Sequence, residues 1–354
     1  MKRVLAVVLA MLMLCGSMPM NASAAGIDIT AAFTDASFRA VVYRAIGKKA
    51  PAAIYDVDVI GITSLSASPG AYETWKIQSL AGLEYFTGLK EFWCCWNQLV
   101  SLPNLPPSLV FLNCMGNRLT SLPALPSSLE ILYCASNQLT SLPALPSSLE
   151  RLECYWNELT ALPELPGGLK VLWAEDNHLE ALPELPASLE ELNVSENQLT
   201  VLPVLPSDLE DLCASDNQLT ELPALPASLG RLACSNNPLT ALPTLPSGLI
   251  SLYCFNNQLT TLPPLPSSLR ILNCSNNQLT GIDVTGLSLE RFACTYNNMT
   301  SQSDITGFTG RWGGYYNFFF PQNNATGILN TQYESTTGNW LKFIFLFGWI
   351  WMWF

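Results

Sequence analysis

The chain has 354 residues, 49% hydrophobic and only 12% charged, with 25 Pro, 21 Gly, 11 Cys and a single His. A formal net charge of -12 leaves no basic stripe for a nucleic acid, and one His leaves little for His-based catalysis or a His metal site. A charged fraction about half the usual ~25% excludes a solvated, disordered tail.

The first segment, 1–24, reads as a signal peptide. Lys2 and Arg3 precede an apolar run from Val4 to Leu14, too short to span a bilayer, and Ala22-Ser23-Ala24 offers small residues for cleavage. Residues 25–76 are expected to form a cap. There Thr34 is placed to cap a helix with Phe38, Val41, Val42, Ala45 and Ile46 on its apolar face, stopped by Gly47. Val57, Ile60, Ile62 and Leu65 then read as a strand.

Residues 77–300 are repetitive. An Asn recurs every 20 residues: Asn97, Asn117, Asn137, Asn157, Asn177, Asn197, Asn217, Asn237, Asn257, Asn277 and Asn297. Around each runs L-x-x-L-x-C-x-x-N-x-L-x-x-L-P-x-L-P, as in Leu129-Glu-Ile-Leu132-Tyr-Cys134-Ala-Ser-Asn137-Gln-Leu139-Thr-Ser-Leu142-Pro143-Ala-Leu145-Pro146. Leu132 and Cys134 alternate with Ile131, Tyr133 and Ala135, so the segment is a short strand with the first pair inward and the other three outward. The Asn amide is expected to turn the chain and bond backbone groups of its own and adjacent coils. Two prolines per coil deny the return segment a helix. Such coils bury their leucines only by stacking, so about 11 of them make a parallel sheet roughly 50 Å long.

This pattern resembles the leucine-rich repeat family over about 210 of the 354 residues. The L-P-x-L-P coils look like the LPX-type repeats of type III secreted bacterial effectors. Ile77, Leu80, Leu83, Phe86, Leu89 and Phe92 are similar to the entry coil of internalin-like bacterial surface proteins. The resemblance implies a mainly β, α/β-class solenoid: the sheet on the concave face, an extended convex side and a small helical N-terminal cap. Some LPX-type effectors carry a ubiquitin-ligase domain with a catalytic Cys after the repeats. Here no Cys follows Cys294, so that activity does not carry over.

Past Asn277 the Pro pattern lapses, and 301–339, including the aromatic-rich stretch 310–321, is expected to be a C-terminal cap or linker. The tail 340–354 is almost wholly apolar, with four Trp and Lys342 its only charge. It suits an interfacial membrane anchor. A segment docking on the last repeat, or the product of an interrupted reading frame, are the alternatives.

Eight cysteines share one inward position: Cys94, Cys114, Cys134, Cys154, Cys234, Cys254, Cys274 and Cys294, with Ala174, Val194 and Ala214 in the middle coils. A position that accepts Cys, Ala or Val asks for a small apolar filler; a metal ladder or disulfide framework is the alternative. Cys95 and Cys213 fall at outward positions as candidate surface thiols. No catalytic constellation is present, so no enzyme activity and no cofactor is expected, and His178 reads as solvated surface.

Function is expected on the outward strand positions. Early coils present Trp93, Phe111, Tyr133, Tyr155 and Trp173, flanked by Trp96 and Trp156; central coils present Glu175, Asp176, Glu191, Glu196, Asp211 and Asp216; late coils add Tyr253, Phe255 and Tyr296. An aromatic stripe beside an acidic centre predicts a protein partner, of basic character, bound through the concave face of a secreted or envelope-tethered module. A carbohydrate partner and a structural spacer role are the alternatives. No nucleic acid is expected, and membrane contact is expected only through the tail.

Overall fold

The computed structural model describes residues 26–70, 76–310 and 317–318. The expected signal peptide 1–24, the tail 340–354 and most of the segment 301–339 lie outside the described residues.

The N-terminal cap begins with α1 (Ala36–Ala45). Its N-cap is Asp35, one residue later than the expected Thr34: the Asp35 carboxylate accepts from the Ser37 and Phe38 N–H groups at 2.8 and 3.0 Å. Its other oxygen accepts from Gln78 N–H at 2.8 Å, tying the helix to the first coil. Phe38, Val41, Val42 and Tyr43 are buried, whereas Ala45 is exposed. Gly47 stops the helix in a left-handed conformation, φ 67°.

The strand expected across Val57, Ile60 and Ile62 is instead a helical turn, α2 (Asp56–Val59). Local capping overrides the apolar spacing here. Asp58 accepts from Tyr55 N–H at 2.7 Å and pairs with Lys48, while Val57 and Ile60 remain 56% exposed. Strand structure starts only at β1 (Ser64–Ser66), where Leu65 is buried.

The repeats then lay down one three-residue strand each. These are β2 (Glu91–Trp93), β3 (Phe111–Asn113), β4 (Ile131–Tyr133), β5 (Arg151–Glu153) and β6 (Val171–Trp173). They continue through β7 (Glu191–Asn193), β8 (Asp211–Cys213), β9 (Arg231–Ala233), β10 (Ser251–Tyr253) and β11 (Ile271–Asn273). After a short β12 (Ile282–Asp283) comes β13 (Arg291–Ala293), then β14 (Ile305–Thr306) and β15 (Asn317–Phe318). All but β12 and β14, which pair with each other, form one 13-stranded sheet, parallel throughout and in chain order. Register advances by one repeat per strand, as in Leu132 opposite Leu152 and Leu152 opposite Leu172. The chain therefore forms a leucine-rich repeat solenoid with eleven 20-residue coils.

Three ladders hold the coils. The strand-centre leucines and the inward Cys, Ala and Val side chains are buried throughout. The asparagines form a second ladder: Asn177 donates to the carbonyls of Cys154, Ala174 and Glu175 at 3.1–3.3 Å, while its oxygen accepts from Leu159 N–H at 3.0 Å. The other ten repeat this on their own coils. A third ladder, not anticipated from the sequence, lies on the return side. Hydroxyls of Ser128, Ser148, Ser188, Ser228 and Ser268 donate to the preceding coil's leucine carbonyl at 2.6–2.7 Å. The return segments contain no helix.

Phe33, packed between Phe38 and Phe86 at ring-centroid distances of 5.9 and 6.3 Å, closes the open N-terminal core. Ile77, Leu80, Leu83, Phe86, Leu89 and Phe92 are all buried beneath it.

Candidate functional site

Each coil turns just before its asparagine through a residue in the left-handed region. Gly116 suits that conformation, and Asn236, Asn256 and Asn276 adopt it readily. Trp96, Trp156, Glu196 and Tyr296 adopt it too, at φ 54–59°. Trp96 lies over Gly116 of the next coil, where a Cβ would meet its ring at 2.4 Å. Even so, Trp96 and Trp156 are 54% and 45% exposed.

On the sheet's outward face Trp93, Phe111, Tyr133, Tyr155 and Trp173 are half-buried, as are Tyr253 and Phe255 in the late coils. The early aromatics touch one another: Trp93 and Phe111 at 5.0 Å, Phe111 and Tyr133 at 5.4 Å, Tyr155 and Trp156 at 5.5 Å between ring centroids. Glu175, Glu191 and Asp211 are part-buried, whereas Asp176, Glu196 and Asp216 are exposed. Outward does not mean solvated here: Ala135, Cys213 and Glu153 are all buried.

The centre of this face is a charged cluster in which the expected Glu175 and Glu191 are joined by Arg151 and Glu153, two residues not expected there from the sequence. Strand pairing sets Glu153 between Tyr133 and Trp173. Arg151 donates from Nε to Glu153 Oε1 at 2.8 Å, and its guanidinium lies 4.8 Å from the Trp173 ring centroid and 6.0 Å from that of Tyr133. The Glu153 side chain has no exposure, and burial raises its carboxyl despite Arg151. On the next coil burial pushes Glu175 up to about 8, with the charges of Glu153, Glu196 and Asp176 adding to the effect. One oxygen of each, Oε2, is buried without a hydrogen-bond partner. Opposite charges two residues apart on one strand, flanked by aromatics one repeat away, were the available signal. A second pair, Arg231 to Asp211 at 3.1 Å, bridges β8 and β9.

The candidate surface thiols are corrected. Cys213 is buried, with Sγ 3.4 Å from Asp211, and burial drives its thiol far above the ordinary value. Cys95 is part-buried beside Ser68, 3.0 Å between Sγ and Oγ, and is also raised. Neither carries the depressed pKa of a reactive thiol. The eight inward cysteines are free and buried, with Cys114 and Cys234 pushed up to about 12 by burial. Among the described residues no group of three or more His, Cys, Asp or Glu side chains is arranged to hold a metal ion, and no helix is long and apolar enough to cross a membrane.

A Leucine Rich Repeat family model matches residues 188–212 and 268–289. Among solved structures, the leucine-rich effector protein YopM from Yersinia pestis is 38% identical, with a TM-score of 0.61 over 64% of this chain and 65% of that one. This chain thus spans just under two thirds of that protein's length. The functional domain of InlJ from Listeria monocytogenes, described as including a cysteine ladder, is 23% identical with a TM-score of 0.54, covering 76% of each chain. The Arabidopsis receptor kinase HAESA, solved with the peptide hormone IDA and the co-receptor SERK1, is 25% identical with a TM-score of 0.50, over 71% of this chain and 50% of that one. No curated protein matches the chain.

Proposed function

We propose that this chain is a non-catalytic module of a secreted or envelope-tethered bacterial protein, and that it binds a protein partner through the outward, concave face of its sheet from β2 to β8. The observation that carries this reading is the exposure of Trp96 and Trp156 at left-handed turn positions. Stability alone favours Gly or Asn there, as Gly116, Asn236, Asn256 and Asn276 show, because a bulky side chain costs about 1 kcal/mol in that conformation. Strain kept together with exposed apolar surface is the mark of a contact residue. The fold's likeness to a bacterial effector and to a receptor bound to a peptide hormone supports the same reading. In the full protein, 1–24 directs export and 340–354 tethers the module.

The test is partner capture from host and bacterial surface extracts with the parent chain beside a Trp93→Ala/Trp173→Ala variant. Retention by the parent and loss by a variant that still melts cooperatively supports a receptor face. Equal capture by both, or none by either, favours a tethered spacer instead.

A further inference from the structure

Resting on that reading, we infer that Glu153 and Glu175 form a receptor site for one cationic side chain, guanidinium or ammonium, presented by a basic segment of the protein partner. Around Glu153 lie the carboxylates of Glu175 and Glu191 and a single guanidinium, that of Arg151, which bonds Glu153 Oε1 and the Tyr133 side chain and leaves Glu175 without a cation of its own among its neighbours. A buried acceptor without a donor is costly, and here two such oxygens, Glu153 Oε2 and Glu175 Oε2, sit on adjacent coils. Glu153 is wholly buried, so water does not relieve it.

The surroundings fit a cation rather than an anion or an apolar group. The residues around Glu175 carry further negative charge at Asp176 and Glu196. Tyr155 lies near both carboxylates, and Tyr133 and Trp173, the rings beside Arg151, show that aromatic side chains on this face hold a guanidinium. Glu175 is only part-buried, so an incoming cation meets it first. Arg151 shows the geometry such a ligand would copy: a donor to a carboxylate beside an aromatic face. The aromatic rim then supplies contact area, and the carboxylate pair selects charge.

Three small probes test the site on the full chain by calorimetric titration at neutral pH: Nα-acetylarginine methylamide, its lysine counterpart, and the neutral isostere Nα-acetylcitrulline methylamide. The expected result is binding of at least one cationic probe about tenfold tighter than citrulline, the equivalent of one good contact. Binding should also release protons, because the cation favours ionised Glu175. Glu175→Gln should remove both the preference and the proton release while the chain still melts cooperatively. Glu153→Gln, if it folds, should weaken the same preference. Equal binding of arginine and citrulline, an unchanged Glu175→Gln variant, or no binding of either cation would overturn the inference. Such a failure leaves partner capture by the tryptophan face standing, whereas loss of capture with intact cation selectivity would sink the broader reading alone.

Discussion

Coils β4 to β7 and coils β9 to β11 share one scaffold and differ in what they place on its outward face. Both bury a leucine at the strand centre and a small apolar filler behind it, and both bond an asparagine side chain into the turn. In the earlier coils the outward positions hold Tyr133, Arg151, Glu153, Tyr155, Trp173 and Glu175, with Trp156 at the turn. The later coils hold Ala233, Ser235, Tyr253, Phe255 and Asn273, with Asn236, Asn256 and Asn276 at their turns. Those turn asparagines join one another through side-chain hydrogen bonds. The late coils thus use the turn position for cohesion, and the early coils fill it with side chains that strain it. Stability resides in the inward rows, and individuality in the outward ones.

That division makes the largest expected effects indifferent to region. Asn177→Ala and Asn257→Ala each leave several backbone groups without a partner, so each should lower unfolding free energy by about 3 kcal/mol in urea titrations. A loss confined to one of them would break the equivalence of the two scaffolds.

The next effect belongs to the early coils. Arg151→Met strands the buried Glu153 carboxylate and should cost about 2 kcal/mol at neutral pH, reduced from a fully buried pair because Arg151 is part-exposed. Adding Glu153→Met should recover most of that loss. A double variant no better than the single would show that the pair is not the source.

Proton linkage sharpens the contrast further. The Glu175 carboxyl is raised from 4.5 to about 8 in the fold, so between these pH values the folded chain holds a proton that the unfolded chain has released. Stability from this group is therefore fully present below about 4.5 and falls as pH rises toward 8, by at most about 1.4 kcal/mol per pH unit. Glu153, also raised, adds a loss of the same sign. Melting across this range should show a decline that Glu175→Gln flattens; an equally steep decline in that variant would contradict the assignment.

The smallest effect concerns the turns. Trp156→Asn should stabilise by about 1 kcal/mol and Asn256→Trp destabilise by a similar amount, read as opposite shifts in the urea midpoint.

The scaffold was legible because it repeats: an Asn every 20 residues eleven times over, with Cys at the filler position in eight coils and Ala or Val in three, fixes strand, filler and turn without reference to neighbours. The cap was less so. Asp35 and Thr34 compete for one helix end, and the bonds made by Asp58 turn an apolar spacing into a helical turn. The left-handed turn had a visible trace in Ser136, Asp176 and Asn236 before their ladder asparagines, obscured by Trp96 and Trp156. The carboxylate cluster was the least legible part. The burial of Glu153 depends on Tyr133 and Trp173, one repeat away on either side, and on Arg151 folding back over its own strand. The aromatic and acidic residues were each visible in sequence, but their interlocking emerges only once the coils stack.

The most direct measurement is site-specific photo-cross-linking in a surface extract, with the reactive group replacing Trp156 on the early face or Val204, which is 85% exposed on the return side. The account predicts one discrete cross-linked partner through position 156, competed away by unlabelled parent chain, and none through 204. The same partner through 204 alone would place recognition on the opposite side of the solenoid and contradict it.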